Sequence, residues 1–313
     1  MKNKNVKMLD MPPLADVVGL GTEKRNPHSI GFDSKSPLEI ARIINSEDQK
    51  VAFAIEMALP QIAKAIEAVA KSLSNGGRLI YVGTGTSGRL GALDASECPP
   101  TFNTDPDMVQ FVMAGGEKAL ARAVEADEDS PALGRRDIAR KKLTRKDVVV
   151  GLAASGRTPY TVSAVEYARK KGAATVGIIA NPDSPLARAA AIPIVIPVGP
   201  EVVAGSTRMK AGTMQKLVLN MITTGAFVRM GYVYDNLMVN LHLKNRKLVE
   251  RGIGIVQQLM DLDRHSAIEA LRISEGSVPV ALVMLEAGVT KKEAEKRLKK
   301  SKGNVRGAIS TSK

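Results

Sequence analysis

The segment Gly83-Thr-Gly-Thr-Ser-Gly-Arg89 has the residue types needed to hold a phosphate. Its three glycines let the backbone approach an anion closely, and Thr84, Thr86 and Ser87 add hydroxyl groups. A short apolar run, Leu79 to Val82, precedes it. A helix starting near Ser87 offers unpaired N–H groups and the positive end of a dipole. Directly behind lies Gly91-Ala-Leu-Asp-Ala-Ser-Glu-Cys-Pro-Pro100, where Glu97 can point an acid or base into the same pocket. A phosphate holder beside a carboxylate points to an enzyme acting on a small phosphorylated molecule. The turn also spells G-x-G-x-x-G, a dinucleotide fingerprint. That use calls for an acidic residue ending the next strand, to hold a ribose. The next strand, Met108 to Met113, ends in Ala-Gly-Gly, and Glu117 comes late. Three hydroxyls suit a terminal phosphate better than a buried pyrophosphate.

Two further loops match the first. Ala153-Ala-Ser-Gly-Arg-Thr-Pro159 brings Ser155, Arg157 and Thr158, with Thr158 placed to cap a helix that starts at Pro159. Gly199 to Thr213 brings Ser206, Thr207, Arg208 and Lys210 and again opens a helix. One such loop is most often an ordinary capped turn. Three of them, each ending a strand of one sheet, sit where α/β sheets bind ligands.

The elements that must position these loops alternate along the chain. Residues 36–75 repeat apolar side chains every three or four positions, with a break at Pro60, and read as helix. Strand-like runs follow at 79–83, 108–113, 147–153, 174–180 and 192–197. They are near-continuous Val, Ile and Ala, as parallel strands buried on both faces require. Helical stretches at Glu117–Ala126, Pro159–Lys171 and Thr207–Met230 complete the alternation. The pattern predicts a doubly wound, five-stranded parallel α/β sheet. Residues 261–313 contain no strand and read as three short helices broken at Gly276, Gly288 and Gly303. The expected division is an extension over 1–21, a phosphate-binding domain with flanking helices over 22–260, and a small helical domain over 261–313.

Composition narrows the class. With 313 residues and 44% hydrophobic content the chain can bury a sizeable core, although aromatics are only 3% and Trp is absent. The single cysteine, Cys98, excludes an internal disulfide and fits a reducing compartment. The N-terminus lacks a signal-peptide apolar region, and no apolar run reaches membrane-spanning length, so a soluble cytoplasmic protein is expected. The net charge of +13 raises nucleic acid as a partner. However, residues 289–313 hold nine Lys or Arg against two Glu, and no aromatic residues interleave to stack bases. A solvated helix face is expected there, with no nucleic-acid partner. His28, His242 and His265 are scattered, so no metal site is expected. Cys98 has no histidine near it in sequence and reads as a packed thiol.

Four stretches together carry a resemblance: Thr22-Glu-Lys-Arg-Asn-Pro-His-Ser29, GTGTSGRLGALDASECPPT, AASGRTPY and GPEVVAGSTRMKAGT. The three loops resemble the sugar isomerase (SIS) fold. More narrowly, the chain from about Thr22 onward resembles the N-acetylmuramic acid 6-phosphate etherases. The resemblance implies cleavage of the D-lactyl ether of that sugar, giving N-acetylglucosamine 6-phosphate and D-lactate in cell-wall recycling. It implies no metal or cofactor, and a homodimer. The family's two active-site glutamates fall on Glu97 and on Glu128, within Ala123-Val-Glu-Ala-Asp-Glu-Asp-Ser130. Glu97 resembles the proton donor; which of the two removes the C2 proton stays open. Judged by itself, Glu128 belongs to an acidic cluster in which Glu125 is an equal candidate. Two other functions remain: a phosphosugar sensor like the glucokinase regulatory protein, and an aldose–ketose isomerase. A pure binder has no use for Glu97, while an isomerase needs a similar base at C2.

Overall fold

The computed structural model describes residues 19–122 and 127–310. Most of the expected extension, and the end of the expected helix Glu117–Ala126 including Glu125, lie outside the described residues. Residues 20–29 make two 3-10 turns, Gly21–Glu23 and Pro27–Ser29. Helix α1 spans Pro37–Glu56, started by a reciprocal Ser36/Glu39 cap with Pro37 in the first turn. Helix α2 spans Leu59–Ser74. Strand β1, Leu79–Gly83, runs directly into α3, Gly85–Phe102. Next come β2, Val109–Met113, one turn of helix α4 at Lys118–Ala121, and α5, Pro131–Ala139. Strand β3 is Val148–Leu152, α6 Pro159–Lys170, β4 Ala174–Ile179, α7 Pro185–Ala189 and β5 Ile192–Val195. Helix α8 covers Lys210–Arg229 and α9 Arg246–Met260. The chain then forms α10, Arg264–Ile273, α11, Val278–Ala287, α12, Lys291–Lys300, and α13, Val305–Ser310.

The five strands form one parallel sheet in the order β2-β1-β3-β4-β5. Alternate residues of each strand face opposite layers. Tyr81, Val150 and Ile178 pack with α1, α2, α3 and α8, whereas Ile80, Val149 and Ile179 pack with α6 and α7. The strand assignments from apolar runs therefore hold to within a residue or two at most ends. Three expectations differ. The helix expected from Glu117 closes after one turn at Ala121. The helix expected from Thr207 starts at Lys210, because Ser206 to Met209 form a turn. Among the described residues, the three expected breaks separate four helices beyond residue 261.

A separate apolar core joins Val239, Leu241, Ile253 and Val256 to Ala267, Leu271, Leu282, Ala294 and Ala308. Helix α9 thus packs with the tail, so this core begins ahead of residue 261. The reason is amphipathicity: α9 turns Ile253 and Val256 toward α10 and α11. Among the described residues, no helix is long and apolar enough to cross a membrane.

Candidate active site

The first two loops leave neighbouring strands. Gly83 and Leu152 are paired across β1 and β3, so the loops start level with each other at the carboxyl edge of the sheet. In the first loop Thr84 is buried and extended, while Thr86 and Ser87 are half-buried. Gly85 has φ +48°, a conformation that favours glycine. No side chain caps the start of α3. Its first turn therefore keeps its dipole and N–H groups for an anion. In the second loop Gly156 has φ +68° and lies so close to Ser184 that a Cβ would sit 2.2 Å from its Oγ. Ser155 Oγ accepts from the Arg157 N–H at 3.2 Å, which folds the loop on itself. Arg157 and Thr158 are half-buried.

Thr158 stands at the cap position of α6, yet its side chain makes no cap bond. The backbone carbonyl of Glu128 serves instead, accepting from the Tyr160 N–H at 3.1 Å. The Glu128 carboxylate reaches the other way: a Cβ built on Gly85 would stand 3.4 Å from Glu128 Oε1. One residue thus touches both loops, its carbonyl at the second and its carboxylate at the first. Glycine is needed at 85 for its backbone conformation.

The third loop starts two strands away, after β5, but α8 carries its end back across the sheet. A Cβ on Gly212 would lie 3.6 Å from the Thr86 methyl. Ser87 Oγ donates to Gln215 Oε1 at 2.9 Å. Ser206 and Thr207 are half-buried and Arg208 is exposed. Two expectations for this loop are altered by charge. The carboxylate of Glu201, fully buried, accepts from the amides of Lys210 at 3.0 Å and Ala211 at 2.9 Å. The first amides of α8 are therefore occupied by a protein carboxylate. Burial raises the Glu201 pKa, opposed by these two amides. Lys210 is itself buried, and its Nζ donates to Glu47 Oε2 at 2.6 Å. Its charge is matched inside the protein.

Sequence reasoning missed Gln215, Glu201 and Glu47. Gln215 is the most telling. Its Nε2 is buried with no hydrogen-bond partner among the described residues, beside a hydroxyl of the first loop. Its position on α8 gave no signal, because a lone Gln inside an apolar helix matches no motif.

Glu97 is placed differently from Glu128. It is exposed on α3, with Leu93, Ser96 and Pro100 on the same outward face. From Gly85 to Glu97 the helix rises about 18 Å, farther than a hexose phosphate extends. Glu97 is not brought to its own chain's first loop. The neighbouring motif residues are structural. Asp94 is buried, accepting from Tyr81 Oη at 2.8 Å and from Lys216 Nζ at 2.8 Å. Cys98 is buried, and burial together with the Asp94 charge pushes its thiol up to about 12, so it stays protonated. A cleft of about 870 Å³ opens beside this helix at the outer edge of β2, lined by Ser96, Pro99, Gln110, Glu117 and Asp127 among others. None of the three loops lines it.

Comparison with known proteins gives the family. Residues 61–169 match the N-terminal SIS domain of the glucokinase regulatory protein, and residues 136–225 match the SIS domain. An N-acetylmuramic acid 6-phosphate etherase from Pasteurella multocida (strain Pm70) is 52% identical over 290 residues, covering 93% of this chain and 96% of its own. The chain belongs to the N-acetylmuramic acid 6-phosphate etherase family. A second member, from Edwardsiella ictaluri (strain 93-146), is 52% identical over 288 residues, covering 92% of this chain and 96% of its own. Residues 279–311 match the HYPK UBA domain. A solved phosphoheptose isomerase from Francisella tularensis is similar at 17% identity and a TM-score of 0.48, over 62% of this chain and all of its own.

Proposed function

We propose that this chain cleaves the D-lactyl ether of N-acetylmuramic acid 6-phosphate, giving N-acetylglucosamine 6-phosphate and D-lactate. Membership of the etherase family supports the reaction. The observation that carries the site is Glu128, whose carboxylate lies against Gly85 of the first loop while its carbonyl binds the second. A phosphate held by Thr84, Thr86 and Ser87, with Ser155, Ser206 and Thr207 around it, places the sugar ring next to that carboxylate.

An ether is a poor leaving group. In the open-chain sugar C1 is an aldehyde, which acidifies the C2 proton. Removing that proton expels lactate from C3, and water then adds to the unsaturated aldehyde at C3. The step needs a base at C2 and an acid for the ether oxygen, each contributing on the order of 10²–10⁴ in rate. Glu128 supplies one. Glu97 supplies the other, and since α3 carries it away from its own loop, it serves the site of a second copy. The reaction as written needs no metal or cofactor.

The homodimer uses the layer formed by α1, α2, α3 and α8. Phe53, Met57, Leu59, Leu93, Met221 and Val228 are exposed there. An apolar groove of about 580 Å³ lies between α2 and α8. Exposed apolar side chains on one layer are the kind of surface a second copy covers. A cytoplasmic location suits the one buried thiol. The core shared by α9 to α13 forms a small helical unit without a nucleic-acid role.

Isotopic labelling tests the chemistry. In labelled water the product sugar is expected to carry solvent oxygen at C3 and solvent hydrogen at C2, while lactate keeps its ether oxygen. Solvent oxygen in lactate with an untouched C2 hydrogen excludes the base and both glutamate roles. No lactate release at all, with sugar phosphate still bound, favours the sensor.

A further inference from the structure

The motif Thr22 to Ser29 has no role in the chemistry above, yet it is tied closely to two of the loops. Within it Thr22 and Asn26 are buried, while Glu23, Lys24 and Arg25 between them are exposed. The Thr22 carbonyl accepts from the Gly205 N–H of the third loop at 3.1 Å. Its hydroxyl accepts from Asn181 Nδ2 at 3.2 Å, and the same Nδ2 donates to the Ala154 carbonyl of the second loop at 3.1 Å. Asn26 Nδ2 donates to the Pro200 carbonyl of the third loop at 3.0 Å and to Glu47 Oε2 at 2.9 Å. Glu47, on α1, also accepts from Lys210 Nζ, pairs with Lys50, and lies 3.1 Å from His28 Nδ1.

The third loop is thereby fixed at both ends and in the middle. Its start is held through Pro200, its turn through Gly205, and its end through Lys210, whose amide is bound by Glu201 and whose ammonium is bound by Glu47. A buried ion pair is a weak device for stability, because desolvation offsets its attraction. It is a strong device for fixing register, since any displacement leaves a buried charge unmatched. That contrast separates positioning from simple bracing.

We propose that residues 20–29 form a strap that sets the second and third loops in their phosphate-binding shape, with Thr22, Asn26 and Glu47 as positioning residues. The proposal rests on the phosphate role assigned to Ser206 and Thr207. Displacing donors by a fraction of an ångström weakens a charged contact far more than it disturbs the fold. The strap therefore governs phosphate affinity rather than the chemical step.

The test uses the full chain and two mild variants, Thr22→Val and Asn26→Ala, with Glu47→Gln as a third. KM for the etherase substrate and the inhibition constant of inorganic phosphate are measured beside kcat and the unfolding midpoint. Both phosphate-dependent constants are expected to rise together by about tenfold, with kcat within about threefold of the parent. A folded Asn26→Ala protein with parental KM and parental phosphate inhibition overturns the proposal. So does a fall in kcat with KM unchanged. Ser206→Ala with Thr207→Val is the control for the reading beneath it. If that pair leaves phosphate inhibition unaltered, the assignment of the third loop fails, and the strap's role with it.

Discussion

At the scale of residues, the site divides into groups that react and groups that hold them. Glu128→Gln and Glu97→Gln are each expected to keep sugar-phosphate binding while turnover falls by roughly 10² or more. Single-turnover lactate release checks this, and near-parental rates in a folded variant remove the residue from the chemistry. Gln215 belongs to the second group. In the structure Ser87 gives its only proton to Gln215 Oε1. Turning the amide over makes Gln215 the donor and frees the Ser87 proton for a phosphate oxygen. Gln215→Leu is therefore expected to raise KM by about tenfold with little change in kcat, read by steady-state kinetics. Glu47 titrates in the opposite direction from a buried acid left alone. Burial raises its pKa, but Lys210, Lys50 and Asn26 together outweigh that and hold it at about 2, against 4.5 ordinarily. A lowered carboxylate pKa stabilises the fold above the unfolded value, and that stability is lost as pH falls through the folded one. Between pH 4.5 and 2 the parent is expected to lose stability more steeply than Glu47→Gln, as followed by urea midpoints; equal slopes sink this assignment.

Elements explain how much of this could be read from sequence. The strands were legible because five short apolar runs, buried on both faces, have few other uses. The three loops were legible because Gly, Ser and Thr after a strand have a physical reason to be there. Register between loops was not legible. Nothing local indicates that α8 brings Gly212 back against Thr86, or that Glu128 spans Gly85 and Tyr160. Those contacts depend on strand order and on close approach over long sequence separations. The start of α8 was misplaced for a similar reason: Glu201, nine residues upstream of Lys210, replaces the usual cap. Losing that carboxylate leaves two buried amides without an acceptor. Glu201→Ala is expected to cost about 1–3 kcal/mol in unfolding free energy. Chemical denaturation checks it, and a loss near zero means water or another group fills the cap.

At the scale of the whole molecule, the question is which chain completes which site. Glu128 is part of its own chain's loops, whereas Glu97 stands outward on α3 beside Leu93, about three turns from the same loop. The helices around α3 share an exposed apolar surface that a second copy can cover. Under two-fold symmetry, each α3 that crosses toward its partner carries Glu97 to the partner's site, and the exchange is mutual. This arrangement has a signature that a self-contained site cannot imitate. Glu97→Gln and Glu128→Gln proteins are each nearly inactive alone. In a heterodimer of the two, one site receives both altered residues and the other receives neither. Random mixing makes half of all dimers mixed, with one intact site in each, so activity should return to about a quarter of the parental value. The two variants, carrying the same tag, are co-expressed in equal amounts, and the unsorted dimers are purified together and assayed for D-lactate release. If each site used both glutamates of a single chain, every site in the mixture would lack one of them, and activity would stay at the level of the separate variants.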